Sequence, residues 1–413
     1  MRRIAVVGAG QAGLQLALGL VAAGYQVTVV AARTPEQVRQ GRVLSTQAMF
    51  GPALRIERAA GLNLWEERAP AVREVRGVLA APPGVQALAF TMALDEPAQS
   101  VDQRIKFAAW LELLAERGGR VEYRTLDPAG LRELAERHEL TVVAAGRGEL
   151  AEVFARDRPR SPYDRPQRTL AGLYAHGVGS PDPAAEPRAR MHAIPGAGEL
   201  YLQPALTLSG PCSILLWGAV PGGPLDCFAD RPAPGEQLDR IRAVLREFLP
   251  WEAELWGAAE PTDPGAALYG ALTPTVRQPV ARLGGGAGGE CPALGIGDTL
   301  VVNDPLTGQG ANSAARAAAH YLTAIVERGE APFTADWMRQ TFELFWQRHA
   351  RHTVDFTRAM LELPEHLHAV FAAAAEHEQV ARRLANTYAE PSDYAAWLAT
   401  PELTAAYLAS FAD

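Results

Sequence analysis

Short apolar runs broken by glycine open the chain. Arg3 to Val7 reads as a buried strand, Gln11 to Ala23 has helical spacing, and Tyr25 to Val30 reads as a second strand. A strand–turn–helix–strand unit of about thirty residues begins a parallel, doubly wound sheet. Residues 52–66 predict a short helix ending near Trp65, and residues 71–95 predict strands that turn at Pro82-Pro83-Gly84. Ile105, Phe107, Ala108, Leu111, Leu114 and Ala115 recur at helical spacing, and Gly118-Gly119 stops that helix. Val121 to Tyr123, Pro128 to Arg137 and Leu140 to Gly146 then predict strand, helix and a buried strand ending in glycine.

Beyond about residue 150 the pattern changes. Prolines crowd residues 159–187, and extended runs at Leu170–Tyr174, Glu199–Leu202 and Ser213–Trp217 predict an antiparallel sheet, with one amphipathic helix over 235–249. Ala293 to Asp298 reads as a strand, and a helix runs on to about Ile325. Trp337 to Phe356, Pro364 to Glu376 and a tail carrying Trp397 and Tyr407 are helical, their aromatic residues expected in core and interface. The expected fold class is α/β. A doubly wound, Rossmann-like domain (1–150 and 276–330) joins an antiparallel-sheet substrate domain (151–275, with part of 70–95) and a helical C-terminal tail (331–413).

The chemistry begins at Gly8-Ala9-Gly10-Gln11-Ala12-Gly13, a Gly-x-Gly-x-x-Gly between strand and helix. Gly8 permits the tight turn, Gly10 lets the backbone approach a pyrophosphate, and Gly13 lets helix and strand pack closely. The helix start at Gln11 and Ala12 offers free N–H groups to phosphates. The same letters also fit a glycine-rich turn in an ordinary βαβ unit. At the end of the second strand, where an acidic residue usually holds the ribose, the chain reads Ala31-Ala32-Arg33. The fingerprint alone therefore leaves FAD, NAD and NADP open. Gly146 ends a strand at the same sheet edge.

A second stretch narrows that choice. Asp298, after Gly297 at a strand end, can accept hydrogen bonds from a polyol. Gly308, Gly310, Ala311 and Asn312 at the next helix start can set N–H groups against a ring that becomes negative on reduction. A reduced flavin is such a ring; the plainer reading is a capped helix after a turn. Arg42, in Gly41-Arg42-Val43-Leu44, can pair with a pyrophosphate or sit as a surface charge on a loop. Gly284 to Gly289 repeats the glycine letters with no helix after it, which predicts a flexible hairpin loop.

Composition excludes some classes. A net charge of −8 over 413 residues gives no broad basic surface for nucleic acid. No run of about twenty apolar residues predicts a membrane span. The glycine-broken opening strand is not a signal peptide. Cys212, Cys227 and Cys291 are scattered, which fits a reducing cytoplasm without disulfides and without metal-ligand spacing. His349 and His352 are expected to face solvent on a helix, and Lys106 is the only lysine.

With both glycine stretches in place, the chain resembles the FAD-dependent aromatic monooxygenase fold, the class of 4-hydroxybenzoate hydroxylase. Within it, the chain is most similar to the oxygenase component of styrene and indole monooxygenases. The resemblance is carried by Gly41-Arg42-Val43-Leu44-Ser45-Thr46, Ser100-Val101-Asp102-Gln103-Arg104 and Ser161-Pro162-Tyr163-Asp164-Arg165-Pro166-Gln167-Arg168. Gly198-Glu199-Leu200, Asp304-Pro305-Leu306-Thr307-Gly308-Gln309-Gly310-Ala311-Asn312 and Arg351 to Thr357 continue it.

The resemblance implies an oxygenase without its own NAD(P)H site. It would receive reduced FAD (FADH2) from an NAD(P)H-dependent flavin reductase, react with O2 to give a C4a-hydroperoxide, and epoxidise a small aromatic alkene or indole. It also implies Arg42 and Arg104 as cofactor contacts, and a pocket lined by Ser45, Gln47, Met49 and Pro305, with no acid–base pair. The family carries Asn and His where this chain has Ser45 and Met49, and a small apolar residue where it has Gln47, so the substrate is left open among styrene, indole, larger alkenes, sulfides and natural-product intermediates. Whether chains pair as a homodimer is also left open. Three alternatives stand beside this reading: a single-component NAD(P)H-dependent hydroxylase, a flavin-dependent halogenase and a non-catalytic flavin-binding subunit. The halogenase would need a lysine near the substrate and a Trp-x-Trp-x-Ile-Pro stretch, where this chain has Glu199-Leu200-Tyr201-Leu202-Gln203-Pro204.

Overall fold

The computed structural model of the chain describes residues 2–180, 188–286 and 289–411. It opens with β1 (Arg3–Val7), α1 (Gln11–Ala22) and β2 (Gln26–Ala31), followed by two short helices, α2 (Pro35–Arg39) and α3 (Gly51–Ala59). A long hairpin of β3 (Ala71–Ala80) and β4 (Gln86–Gln99) comes next. Then α4 (Gln103–Glu116), β5 (Arg120–Tyr123), α5 (Pro128–Arg137) and β6 (Leu140–Val143) return to the first layer. After α6 (Glu149–Glu152) come β7 (Thr169–His176), β8 (Ala189–Ile194), β9 (Gly198–Thr207) and β10 (Gly210–Ala219). These are followed by α7 (Pro234–Phe248), α8 (Pro250–Leu255), β11 (Glu260–Pro261) and β12 (Ala267–Ala271). The chain then runs through β13 (Thr275–Val276), β14 (Val280–Gly286), β15 (Gly289–Gly295), β16 (Val301–Val302) and α9 (Gln309–Arg328). It closes with α10 (Ala335–Phe345), α11 (Arg351–Glu362), α12 (Glu365–Glu376), α13 (Glu378–Ala389), α14 (Tyr394–Trp397) and α15 (Pro401–Leu408).

Two sheets organise these elements. The first, ordered β14-β15-β6-β1-β2-β5, is parallel from β15 to β5 and ends in the antiparallel strand β14. Its central strands are apolar on both faces because helices cover both: Ile4, Val6, Val29 and Val142 are fully buried with Leu14 of α1, Leu111 of α4 and Tyr321 of α9. The second sheet, ordered β11-β7-β10-β9-β8-β3-β4 with β12 beside β7, is antiparallel except at one junction, where β3 and β8 run parallel. That junction joins the early hairpin to strands more than a hundred residues later. One face is sealed by α7 and α8 through Leu200, Leu215, Trp217, Ile241 and Leu245. The helical C-terminus packs on the other side through Phe356, Val380 and Leu384, against Phe90 and Met92.

Local differences from the sequence reading have local causes. Gly284 to Gly286 belong to β14 and Gly289 to β15, paired antiparallel with an irregularity between Leu283 and Gly286; residues 287–288 of that stretch lie outside the described residues. The helix expected from Trp337 to Phe356 is interrupted by a π-turn at Trp346–Ala350. His349 lies in that turn, half-buried with its ring 5.8 Å from Phe345, rather than facing solvent. Burial pushes this imidazole down to about 4, with Arg316 adding to the effect. No helix among the described residues is long and apolar enough to cross a membrane, and no group of His, Cys, Asp or Glu among them can hold a metal ion.

Candidate active site

A cavity of about 760 Å³ runs along the carboxyl edge of the parallel sheet and continues against the second sheet. That volume lies within the range of small-molecule sites. At one end its wall is the first glycine turn. Gly8 has φ +111°, and a Cβ there would lie 2.3 Å from the Ala144 carbonyl oxygen. A Cβ on Gly13 would lie 2.1 Å from the Gly8 carbonyl oxygen, so Gly13 is the packing glycine behind the wall. Gly10 caps α1 without any side-chain hydrogen bond, which leaves the first-turn N–H groups open, and a Cβ on Gly10 would meet nothing within 4 Å. Gly8, Gly10, Gln11 and Ala12 all line the cavity.

The opposite wall comes from the carboxyl ends of β6 and β15. Gly146 (φ +72°) donates its N–H to Thr299 Oγ1 at 3.1 Å, and Asp298 lies half-buried beside it on the cavity wall. Desolvation raises the Asp298 carboxyl above the ordinary carboxylate range, with Arg147 pulling it down. Next, Pro305 and Leu306 turn through a short 3-10 helix, and Gly308 in the left-handed region (φ 65°) starts α9. Pro305, Gly308, Gly310 and Ala311 line the cavity, with open space where a Gly310 side chain would project. Open glycine edges, uncapped helix N–H groups and one carboxylate are the donor and acceptor set that a dinucleotide with a polyol needs, so these residues fit FAD.

Between the two sheets, the segment 44–50 is held by its backbone. Tyr174 donates its hydroxyl to the Ser45 carbonyl at 2.7 Å, and Ser100 Oγ donates to the Gln47 carbonyl at 2.6 Å. Gln203 Nε2 donates to the carbonyls of Thr46 (3.1 Å) and Gln47 (2.8 Å). Ser45 and Gln47 line the cavity, the Gln47 amide nitrogen donating to the Val101 carbonyl.

Four residues expected at the site lie elsewhere. Arg42 is exposed, outside the cavity lining, because Val43 turns inward and pins its N–H to the Gly265 carbonyl at 2.9 Å. Arg104 is fully buried and spent on protein partners: Asp102 (2.7 and 2.9 Å), Asp263 (2.9 and 3.0 Å), Thr207 (3.3 Å) and the Gly41 carbonyl (3.2 Å). Met49 is buried against Ala53, Leu54 and Ala315 while its backbone bridges to Gln99; Phe50 lines the cavity instead. Asn312 does not line it either. Its amide accepts from Phe50 N and donates to the Ala48 and Gly308 carbonyls, each at 2.8 Å, so it ties the 48–50 segment to the Gly308 turn.

Other lining residues come from outside the motifs. Arg33, Arg124 and Arg147 line the end near the first glycine turn, and all three are exposed. Arg33 stands where the acidic ribose partner was sought, and its position was the signal available in sequence. At the other end the pleat of the second sheet sets one row of side chains towards the cavity. Direct cross-strand neighbours Met92–Val75–Ala189 and Met191–Tyr201–Leu216 all line it. Leu306, Ala385 and Tyr388 complete this apolar lobe. Tyr388 belongs to the core cluster around Phe356, as expected of the C-terminal aromatics, and lines the cavity as well. Lys106 is outside the lining, buried with its Nζ 2.6 Å from Glu57 Oε1, so the cavity has no lysine for halogen transfer.

Comparison with known proteins shows what the chain as a whole is similar to. Residues 146–254 match the family model described as "Styrene monooxygenase A putative substrate binding domain", and residues 3–48 match a model described as NADP oxidoreductase coenzyme F420-dependent. The chain is 32% identical over 324 residues to the styrene monooxygenase StyA of Pseudomonas fluorescens, covering 77% of this chain and 75% of that protein. It is 31% identical, over the same shares, to the StyA of a Pseudomonas species. Among solved structures, the flavin-dependent brominase Bmp2 superposes with a TM-score of 0.70 at 14% identity, over 99% of this chain and 98% of that one. P. aeruginosa PqsL, as a mutant, superposes with a TM-score of 0.58 at 16% identity, over 92% of this chain and 98% of that one. At such identities these structures show the shared fold alone.

Proposed function

The chain belongs to the styrene monooxygenase family, and on that premise we propose that it epoxidises the C=C bond of a small aryl alkene or an indole-type ring. It is a flavin-dependent monooxygenase, the oxygenase component of a two-component system that uses FAD and O2. The observation that carries the finer reading is the single continuous cavity, polar and glycine-edged at one end and apolar beyond Pro305 at the other. FAD supplies the activation of dioxygen; the protein supplies place and dryness.

The residues that would hold FAD are Gly8, Gly10, Gln11 and Ala12, through the open N–H groups of α1, with Asp298 accepting from hydroxyls of its polyol. Gly308, Gly310 and Ala311 would set backbone N–H groups and the start of α9 against its ring system. Val75, Met92, Met191, Leu216 and Leu306 exclude water from the lobe where an aryl group would lie. Segment 45–48 presents Ser45 and Gln47 between the two, its carbonyls committed to Tyr174, Ser100 and Gln203 and so fixed in place. NAD(P)H oxidation would fall to the partner reductase, with reduced FAD passed between the two proteins.

The test is an oxygenation assay. The purified chain with NADH and FAD should consume almost no NADH. Added flavin reductase should yield styrene or indole products heavier by one oxygen atom, read by mass spectrometry. Rapid NADH oxidation by the chain alone would instead make it a single-component hydroxylase. Asp298→Ala should weaken FAD binding roughly tenfold or more, as loss of a charged hydrogen-bond acceptor does; unchanged titration of flavin fluorescence would remove Asp298 from the site.

A further inference from the structure

The apolar lobe contains two phenols whose hydroxyls the protein leaves largely unused. Tyr201 projects from β9 into the cavity, directly paired across the sheet with Met191 on one side and Leu216 on the other. Tyr388 reaches the same place from α13, braced edge-on against Phe356 with ring centroids 4.9 Å apart, and its hydroxyl lies 4.0 Å from Met191 Sδ. The two rings therefore flank one methionine. A thioether is a weak acceptor, and the Tyr201 hydroxyl has no hydrogen bond to any described residue. The Tyr201 hydroxyl is not sealed in the protein interior, so it opens on the cavity, which the Tyr388 side chain also lines. Buried phenols normally find an oxygen or nitrogen partner.

Nearby protein groups do not supply one. Glu199, two residues before Tyr201, is held bidentately by Arg168 at 2.8 Å on both oxygens. Gln203 spends its amide nitrogen on the 46–47 carbonyls. Asp304 caps Leu306 N at 3.1 Å through one oxygen, the other being sealed away from the cavity. The charged groups around the phenols are thus two carboxylates and one paired guanidinium. Burial, reinforced for both by Glu199, raises both phenols and keeps them neutral donors. This surrounding also disfavours an anionic substrate.

We propose that the lobe accepts a neutral aryl alkene bearing a ring hydroxyl, and that Tyr201 and Tyr388 select it by donating hydrogen bonds to that oxygen. The inference rests on the alkene reading above. It makes these tyrosines specificity residues, remote from the oxygen-transfer step, and it makes a bare hydrocarbon the poorer ligand, because it would leave both phenols unpaired.

The experiment measures dissociation constants of 4-vinylphenol and 4-methylstyrene, which match in size and differ in the hydroxyl. They are read from the visible spectrum of FAD bound to the full chain. The wild type, Tyr201→Phe, Tyr388→Phe and the double variant are compared. The wild type should bind 4-vinylphenol about tenfold more tightly, each single variant should lose part of that ratio, and the double variant should bring it to within about twofold. Equal affinities in the wild type overturn the inference, as does a preference that survives in the double variant. Parallel turnover with externally supplied reduced FAD separates the two readings. Oxygenated 4-methylstyrene without any gain from the hydroxyl leaves the alkene reading standing and removes this one; absence of both binding and turnover removes both.

Discussion

At residue scale the heaviest electrostatic commitment is Arg104, which joins Asp102 on its own helix start to Asp263 on a distant loop, with all but Asp263 almost fully buried. Its guanidinium is pushed above its ordinary range by Asp263 and Asp102 against a large opposing cost of burial. Removing one member of such a group strands the others, so Arg104→Met should cost about 3–5 kcal/mol in chemical denaturation. Its effect on FAD affinity, measured on the folded fraction, should be slight. Asp304 is the opposite case: burial lifts its carboxyl to about 6 against the cap it gives Leu306. The folded state therefore holds that proton more tightly than the unfolded chain does. Stability is highest below about pH 4 in this respect and falls as pH rises from about 4 to 6. Asp304→Asn should flatten that decline and raise stability at pH 8 by up to roughly 3 kcal/mol, measured by urea denaturation across pH. The contrast between Gly8 and Arg104 shows what the sequence could tell. A glycine's role is written in its own backbone freedom and immediate neighbours, whereas Arg104's partner lies 159 positions away.

At the scale of elements, the helix start at Gln309 is a junction rather than a terminus. Gln309 Nε2 donates to the carbonyls of Thr307 (2.8 Å) and Tyr388 (2.7 Å), and Thr307 Oγ1 meets Thr357 Oγ1 at 2.6 Å. Asn312 adds the tie to segment 48–50. Asn312→Ala should release that segment, cost about 1–3 kcal/mol for the unpaired buried groups, and raise substrate Kd more than FAD Kd. Titration of each ligand against the variant checks this. Strands and helices in this region follow from hydrophobic period and glycine punctuation, which are local. The parallel pairing of β3 with β8, the inward turn of His349 and the inward-facing Met49 depend on contacts made only after folding, and no periodicity reports them.

For the whole molecule, a chain of net charge −8 carries an exposed arginine trio, Arg33, Arg124 and Arg147, at one end of its main cavity. Glu122 holds Arg124 at 3.0 Å, while Glu149 and Asp298 are the acidic groups in the same lining. A cationic rim on an anionic body steers anions to one entrance. The association rate of FAD, followed by stopped-flow fluorescence, should fall several-fold between about 50 and 500 mM salt. A triple alanine variant of the rim should lose most of that dependence; a salt-insensitive wild type would contradict it. Overall architecture followed from the order of patterns along the chain. The apolar lobe did not, since it is assembled from the β3–β4 hairpin, the middle strands and Tyr388 near the end.

The burial of Lys106 has a practical side. An epoxide, the product proposed for this chain, is an alkylating agent, and a protein that released one repeatedly would be its nearest target. This chain offers no lysine amine at its surface, because its only one is 3% exposed and tied to Glu57. Burial also holds the thiols of Cys212 (up to about 12) and Cys227 above the ordinary range, which keeps them from the reactive thiolate form. Peptide mass spectra after prolonged turnover should show few adducts at Lys106, Cys212 and Cys227, with the partly exposed Cys291 as the thiol that reacts first.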